Sequence, residues 1–201
     1  MKTLKLLLGV AAIAAAFAAA SARAQSLPAT LNGLGPEMLT SGTYNGVNYE
    51  TRNAGILRFD FGDAFCVDPL QDLSFPETLV YQIQDPLSLA NQNTISRLVG
   101  GYLASGQTNL DAAAVQWAIW EVAVEGSSTG SLTTGSVRVA NSPVAALANN
   151  YLSNVNSYTA VNLTYLTNGT RQDVVTWNMV PEPGSLTLLG LSALALFRRR
   201  R

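Results

Sequence analysis

Two residues have side chains that could carry out chemistry together, a lone cysteine and a glutamine further along the chain. Cys66 is the only cysteine of the 201 residues, so no disulfide can form within the chain. A free cysteine is often a small buried apolar residue, and a reactive thiol or pairing with another molecule are the alternatives. Gln116 stands in the otherwise apolar run 115–120, where an unpartnered amide would cost about 1–3 kcal/mol. We expect its amide either to hydrogen-bond to strand backbone or to have reacted with the Cys66 sulfur.

Missing residue types exclude most other chemistry. The chain contains no histidine, and its two lysines, Lys2 and Lys5, lie at the N-terminus. These absences exclude Ser-His-Asp and Cys-His catalysis, His-ligated metal sites, the P-loop lysine and lysine Schiff bases. A pair of acidic residues remains as the hydrolytic alternative. We expect a protein that is not an enzyme and that needs neither a metal ion nor another cofactor.

The charge is distributed unevenly along the chain. Seven of the 12 Lys and Arg residues lie in the first 24 and last four positions, which leaves five against the 13 acidic residues. The central part is therefore acidic. Because phosphate binding requires clustered Lys and Arg, we do not expect a nucleic-acid partner.

The pattern of apolar and turn residues predicts strands at both ends of the central region and helices between them. An Asn-Gly turn within residues 43–47 and another at 168–169 indicate β-hairpins. Residues 64–67 around Cys66 suit a buried strand. Further strands are predicted over 56–61, 79–83, 159–167 and 171–180, and helices over 95–103, 108–125 and 143–153.

The predicted helix over residues 108–125 carries the glutamine. Thr108 and Asp111 have the spacing of a capping box, and Gly126 is a typical stop. On a helical wheel Glu121 lies well over 100° from Gln116, and most of the circumference is apolar. The helix is therefore expected to be largely buried. The predicted fold class is α+β, with one β-rich domain over residues 25–180, sandwich-like or barrel-like, and a helical insert that carries the Gln motif.

These two motifs together resemble those of the thioester domains of bacterial surface adhesins. That family joins an aromatic-Cys-apolar strand motif, here residues 65–67, to an apolar-Gln-x-x-apolar-Trp helix motif, here residues 115–120. The resemblance implies that the Cys66 sulfur and the Gln116 carbonyl form an internal thioester with loss of ammonia. It further implies covalent capture of a surface or matrix partner that bears an amine or a hydroxyl. Trp120 matches the motif's Trp and, with Phe65 and Trp117, would keep water from the thioester.

The N-terminus has the layout of a secretory signal peptide, with Lys2 and Lys5, an apolar stretch over 6–20 and a small-residue site at 22–24. Cleavage by signal peptidase after Ala24 is predicted. If Cys66 and Gln116 are only core residues, the exported protein is instead a non-covalent matrix or carbohydrate-binding module, which is the alternative to the thioester adhesin.

The C-terminus combines a short motif, an apolar helix and a basic end. Its features are Pro181, Glu182 and Pro183, an apolar run over 186–197, and the arginines Arg198, Arg199, Arg200 and Arg201. The segment 181–201 resembles the PEP-CTERM sorting signal, which implies processing by exosortase, a membrane transpeptidase. The arginines are expected in the cytoplasm, so the precursor is expected to be inner-membrane-associated before release to the cell surface or outside the cell.

Two weaker patterns lie in the central region. Asp60, Asp63, Asp68 and Asp72 could supply oxygens to Ca²⁺, but their spacing matches no EF-hand loop, and a solvated acidic edge is the preferred interpretation. Two Asn-x-Thr sequons, at residues 162 and 168, carry little weight because such short patterns often arise by chance.

Overall fold

A computed structural model describes residues 25–126 and 131–177 of the chain. The predicted signal peptide, the sorting motif and the predicted membrane helix lie outside these residues. Within them, no helix is long and apolar enough to cross a membrane.

Seven strands of the described residues form one antiparallel sheet. They are β1 (Gln25–Tyr44), β2 (Val47–Phe59), β3 (Gly62–Cys66), β4 (Glu77–Gln84), β5 (Val137–Val139), β6 (Thr164–Thr167) and β7 (Val174–Thr176). Their order in the sheet is β2-β3-β7-β6-β4-β1-β5, and β1 also pairs with β2, which closes a six-stranded barrel to which β5 adds at the far end of β1. The predicted β-rich α+β class is therefore confirmed, in a barrel-like form.

The sequence pattern predicted neither the short strand β5 nor most of the first strand, β1. Strand β1 spans 20 residues and pairs first with β4, up to Leu31, and then with β2 from Leu31 onward. Its register shifts three times, between Leu31 and Gly33, Leu34 and Glu37, and Thr40 and Gly42. Such irregularities break the apolar-polar alternation by which a strand is recognised, and they bend the strand enough to serve two neighbours.

Both predicted hairpins are present. Asn45 and Gly46 have φ values of 48° and 80°, as a two-residue turn between β1 and β2 requires. The hairpin from β6 to β7 has a longer loop, because Asn168 Oδ1 accepts the main-chain N–H groups of Thr170 and Arg171. Both strands of this hairpin are shorter than predicted within the described residues, because β6 begins only at Thr164 and β7 spans only Val174–Thr176.

Three helices lie between β4 and β6, as predicted: α1 (Gln92–Ala104), α2 (Asn109–Glu125) and α3 (Ser142–Ser153). The capping box at the start of α2 is complete, and Gly126 ends the helix in the left-handed conformation at φ 70°. Helix α2 packs against β1 and β2 on one side and against α1 and α3 on the others. Because neighbours surround it, eleven consecutive residues from Ala112 to Val122 are buried.

Candidate functional site

Cys66 is the last residue of β3, a short strand in the barrel wall. It pairs with Val174 of β7, and its side chain is a free, buried thiol. Successive strand residues point to opposite faces of a sheet, so Cys66 and Phe65 face different neighbours. The Phe65 ring lies against Tyr102 and Trp177, with ring centroids 5.2 and 5.5 Å away.

Gln116 occupies the middle of α2, and its side chain reaches the main chain of Cys66. Its Oε1 accepts the Cys66 N–H at 3.0 Å, and its Nε2 donates to the Cys66 carbonyl oxygen at 2.7 Å. The side chain is 1% exposed. The first of the two expected outcomes, hydrogen bonding to strand backbone, is therefore what the structure shows, and this contact places the amide directly against Cys66.

The Cys66 thiol is strongly held in its neutral form. Burial raises the pKa of the thiol, and the charges of Asp68 and Asp173 raise it further. The indole of Trp120 lowers the pKa of this thiol, although its N–H makes no hydrogen bond of ordinary geometry. Trp120 is thus a buried donor that faces a thiol and lacks an acceptor, an arrangement that costs free energy unless a charge or a ligand uses it.

A small cavity of about 40 Å³ adjoins this pair. Cys66, Gln116 and Trp120 line it, together with Tyr49 and Gln172 and with a further set of residues, namely Arg52, Asn53, Gly55, Leu57 and Pro69. A space of this size holds a water molecule or the end of a slender side chain. It therefore leaves room for a group of that size beside Cys66 and Gln116.

The predicted shielding residues occupy different positions. Trp120 is in the cavity wall. Trp117 is fully buried, donates from Nε1 to Thr40 Oγ1 at 2.9 Å, and packs edge-on against Trp120 with centroids 5.0 Å apart. Neither Phe65 nor Trp117 thus lines the cavity, although Trp117 packs against Trp120, which does.

Sequence reasoning missed Tyr49, Arg52 and Gln172. The Arg52 guanidinium carbon lies 4.7 Å from the centre of the Tyr49 ring, and Arg52 also forms an ion pair with Asp72. The Tyr49 hydroxyl donates to the carbonyl oxygen of Pro69 at 3.0 Å. These residues lie far from Gln116 in sequence and carry no motif, so no local signal could have identified them.

Three of the four aspartates considered for Ca²⁺ contact other groups, and one of these, Asp72, pairs with Arg52. Asp63 lies 3.7 Å from Arg58, and Asp68 accepts the main-chain N–H of Leu70. In the part of the chain that the structure describes, no group of three or more acidic or cysteine residues could hold a metal ion.

Comparison with known proteins identifies one segment of the chain. Residues 180–201 match the PEP-CTERM protein-sorting motif. No curated protein and no solved structure matches the chain. The chain is therefore an exported protein that exosortase sorts to the cell surface or the extracellular space, and its sorting motif includes Pro181, Glu182 and Pro183.

Proposed function

We propose that this protein attaches covalently to a surface or matrix partner through an internal thioester between Cys66 and Gln116. The observation that carries the proposal is the double hydrogen bond between the Gln116 amide and the Cys66 main chain, at 3.0 and 2.7 Å. These bonds hold the Gln116 amide against the residue whose sulfur is to attack it, and reactants held in a productive geometry can reach effective molarities of about 10⁵ M or more, which would leave little need for further catalytic groups. This suits a chain without histidine.

The contact is suited to the acyl transfer itself. The Cys66 sulfur attacks Cδ of Gln116, the C–S bond forms as the C–N bond breaks, and the thiol proton leaves with the amide nitrogen as ammonia. The Cys66 N–H already donates to Oε1, where negative charge develops in the tetrahedral intermediate. That hydrogen bond is kept throughout, whereas the bond from Nε2 to the Cys66 carbonyl oxygen is lost with the ammonia.

Burial favours a thioester that persists. Burial limits the access of bulk water to the acyl group, and the environment that raises the pKa of the Cys66 thiol makes its thiolate a poor leaving group toward water and partner nucleophiles alike. The bond opens when an amine or hydroxyl of the partner attacks Cδ, forms an amide or ester with Gln116, and returns its proton to the sulfur. Trp120 then has a role, because its free indole N–H can stabilise the developing thiolate.

One observation favours the alternative, a non-covalent matrix or carbohydrate-binding protein. Both polar atoms of the Gln116 side chain already have hydrogen-bond partners on Cys66, so Gln116 can equally serve a purely structural role by joining α2 to β3. In that case the free thiol is an ordinary core residue.

Intact mass of the purified protein separates the two functions. A thioester makes the protein one ammonia lighter than its sequence, and methylamine then adds its own mass and frees a thiol for iodoacetamide. The variant Cys66→Ala undergoes the same processing at both termini. The mass difference between wild type and this variant therefore does not depend on where the termini are cleaved. A full-mass protein whose thiol titrates once unfolded would show that no thioester forms.

Gln172→Ala is the matched control, since this second glutamine lines the same cavity without touching the Cys66 main chain in any described hydrogen bond. The mass deficit should survive in Gln172→Ala and disappear in Gln116→Glu, whose carboxylate has no ammonia to lose. A deficit that persists in Gln116→Glu would assign the modification elsewhere.

A further inference from the structure

A second, larger space lies beside the cavity that contains Cys66. This groove has a volume of about 280 Å³ and a mixed polar and apolar lining, in which Leu39 is 64% and Phe75 54% exposed. The groove and the cavity share four lining residues, which are Arg52, Asn53, Leu57 and Gln172. These four residues therefore border both the groove and the cavity that Cys66 lines.

Among the four shared residues, Arg52 is the long side chain held in place from several directions. Its guanidinium stacks on Tyr49 at 4.7 Å and pairs with Asp72, which lines the groove alone. Its main-chain carbonyl oxygen accepts from Thr40 Oγ1 at 3.2 Å. Thr40 thus anchors the main chain of Arg52, while Tyr49 and Asp72 contact its guanidinium where the two spaces adjoin.

We infer that Arg52 is a specificity-determining residue of the thioester site and admits only slender, unbranched nucleophiles from the groove. This inference rests on the proposed function. The cavity beyond Arg52, about 40 Å³, accommodates an amino or hydroxyl group at the end of a straight chain. The substrate class is therefore an unbranched primary amine or alcohol, with apolar neighbours that contact Leu39 and Phe75 in the groove.

Two isomeric amines test the inference on the purified protein. n-Butylamine and isobutylamine have the same mass and similar basicity, and isobutylamine is branched one carbon beyond its amino-bearing carbon. We expect wild type to incorporate n-butylamine about tenfold faster than isobutylamine, the scale on which a pocket discriminates small apolar groups. In Arg52→Ala the two incorporation rates should approach each other, because the rate for isobutylamine should rise more than the rate for n-butylamine.

Arg58→Ala is the matched control, since it removes another ion-paired arginine of β2 that lines neither space. It should keep the wild-type preference. Asp72→Asn leaves Arg52 in place but removes its ion pair, and should give an intermediate preference even if Arg52→Ala fails to fold. An unchanged preference in both Arg52→Ala and Asp72→Asn would overturn the inference and leave the thioester intact.

Alkylation of the Cys66 thiol separates failure of the inference from failure of the proposed function. If wild type has its full mass and takes up no amine, the thioester is refuted, and access can still be measured with iodoacetamide on the folded protein. Faster alkylation in Arg52→Ala than in Arg58→Ala would retain Arg52 as the barrier to the cavity. Equal alkylation rates would overturn that role as well.

Discussion

Glu121 gives the fold a pH dependence that a single substitution should remove. The carboxyl group lies in α2 with 0% exposure, and neither of its oxygens has a hydrogen bond of ordinary geometry. Burial, reinforced by the charge of Glu125 one turn later, raises the pKa of Glu121 from 4.5 to about 7, while the main chain of Ser131 opposes the shift. The folded protein therefore holds this proton more tightly than the unfolded chain does.

The sign and size of the effect follow from this difference in proton affinity. Stability is greatest when Glu121 is protonated in both states, falls as pH rises from about 4.5 to about 7, and is constant above that range as far as this group is concerned. A shift of this size corresponds to a loss of about 3 kcal/mol in the free energy of unfolding. Glu121→Gln keeps the shape of the protonated side chain and cannot ionise, so it should be more stable than wild type by about that amount above neutral pH.

Urea denaturation across this pH range measures the effect. The curves of wild type and Glu121→Gln should coincide at acidic pH and separate progressively toward about pH 8. Asp60→Asn, which removes an exposed carboxylate, should follow wild type throughout. The reasoning fails if Glu121→Gln loses stability with pH as steeply as wild type, because the titrating group would then be another residue.

Two further substitutions test local features of α2. Thr108→Ala removes the side chain that accepts the Asp111 N–H in the capping box and should lower the free energy of unfolding by about 1 kcal/mol in urea titrations, whereas Thr108→Ser should retain most of it. Trp120→Phe removes the indole N–H that faces Cys66 and should slow opening of the thioester by methylamine about tenfold in a mass-based time course, while an unchanged rate would exclude its role as a donor to the thiolate.

Local patterns predicted the helices well, because their signals are local. The Thr108–Asp111 capping box and Gly126 define the two ends of α2 through contacts within one turn, so residue types at fixed spacing suffice. The turn at Asn45 and Gly46 is readable for the same reason. In contrast, β1 depends on register shifts that its partners impose, and these are set by residues far away in sequence.

The residues of the candidate site show the same contrast between local sequence signals and long-range contacts. Gln116 was recognisable because a polar residue on an apolar helix face requires a partner, and the structure supplies that partner in the Cys66 main chain. The burial of Glu121 was not recognisable, because a helical wheel places residues on a face but does not say that α1 and α3 cover the remaining faces. Tyr49 and Arg52 reach the cavity from β2, an element far from Gln116 in sequence.

The identity of the cation beside the cavity connects the composition of the chain with the proposed chemistry. Residues 25–180 contain arginine but no lysine, and Arg52 is the one charged residue among those described that line the cavity. A lysine at this place could lose its proton and attack the neighbouring acyl group, which would discharge the thioester within the molecule. A guanidinium stays protonated and is no nucleophile. Under the proposed function, arginine therefore provides a positive, planar group next to the acyl carbon without reacting with it, whereas a composition poor in lysine accounts for the same absence without a thioester.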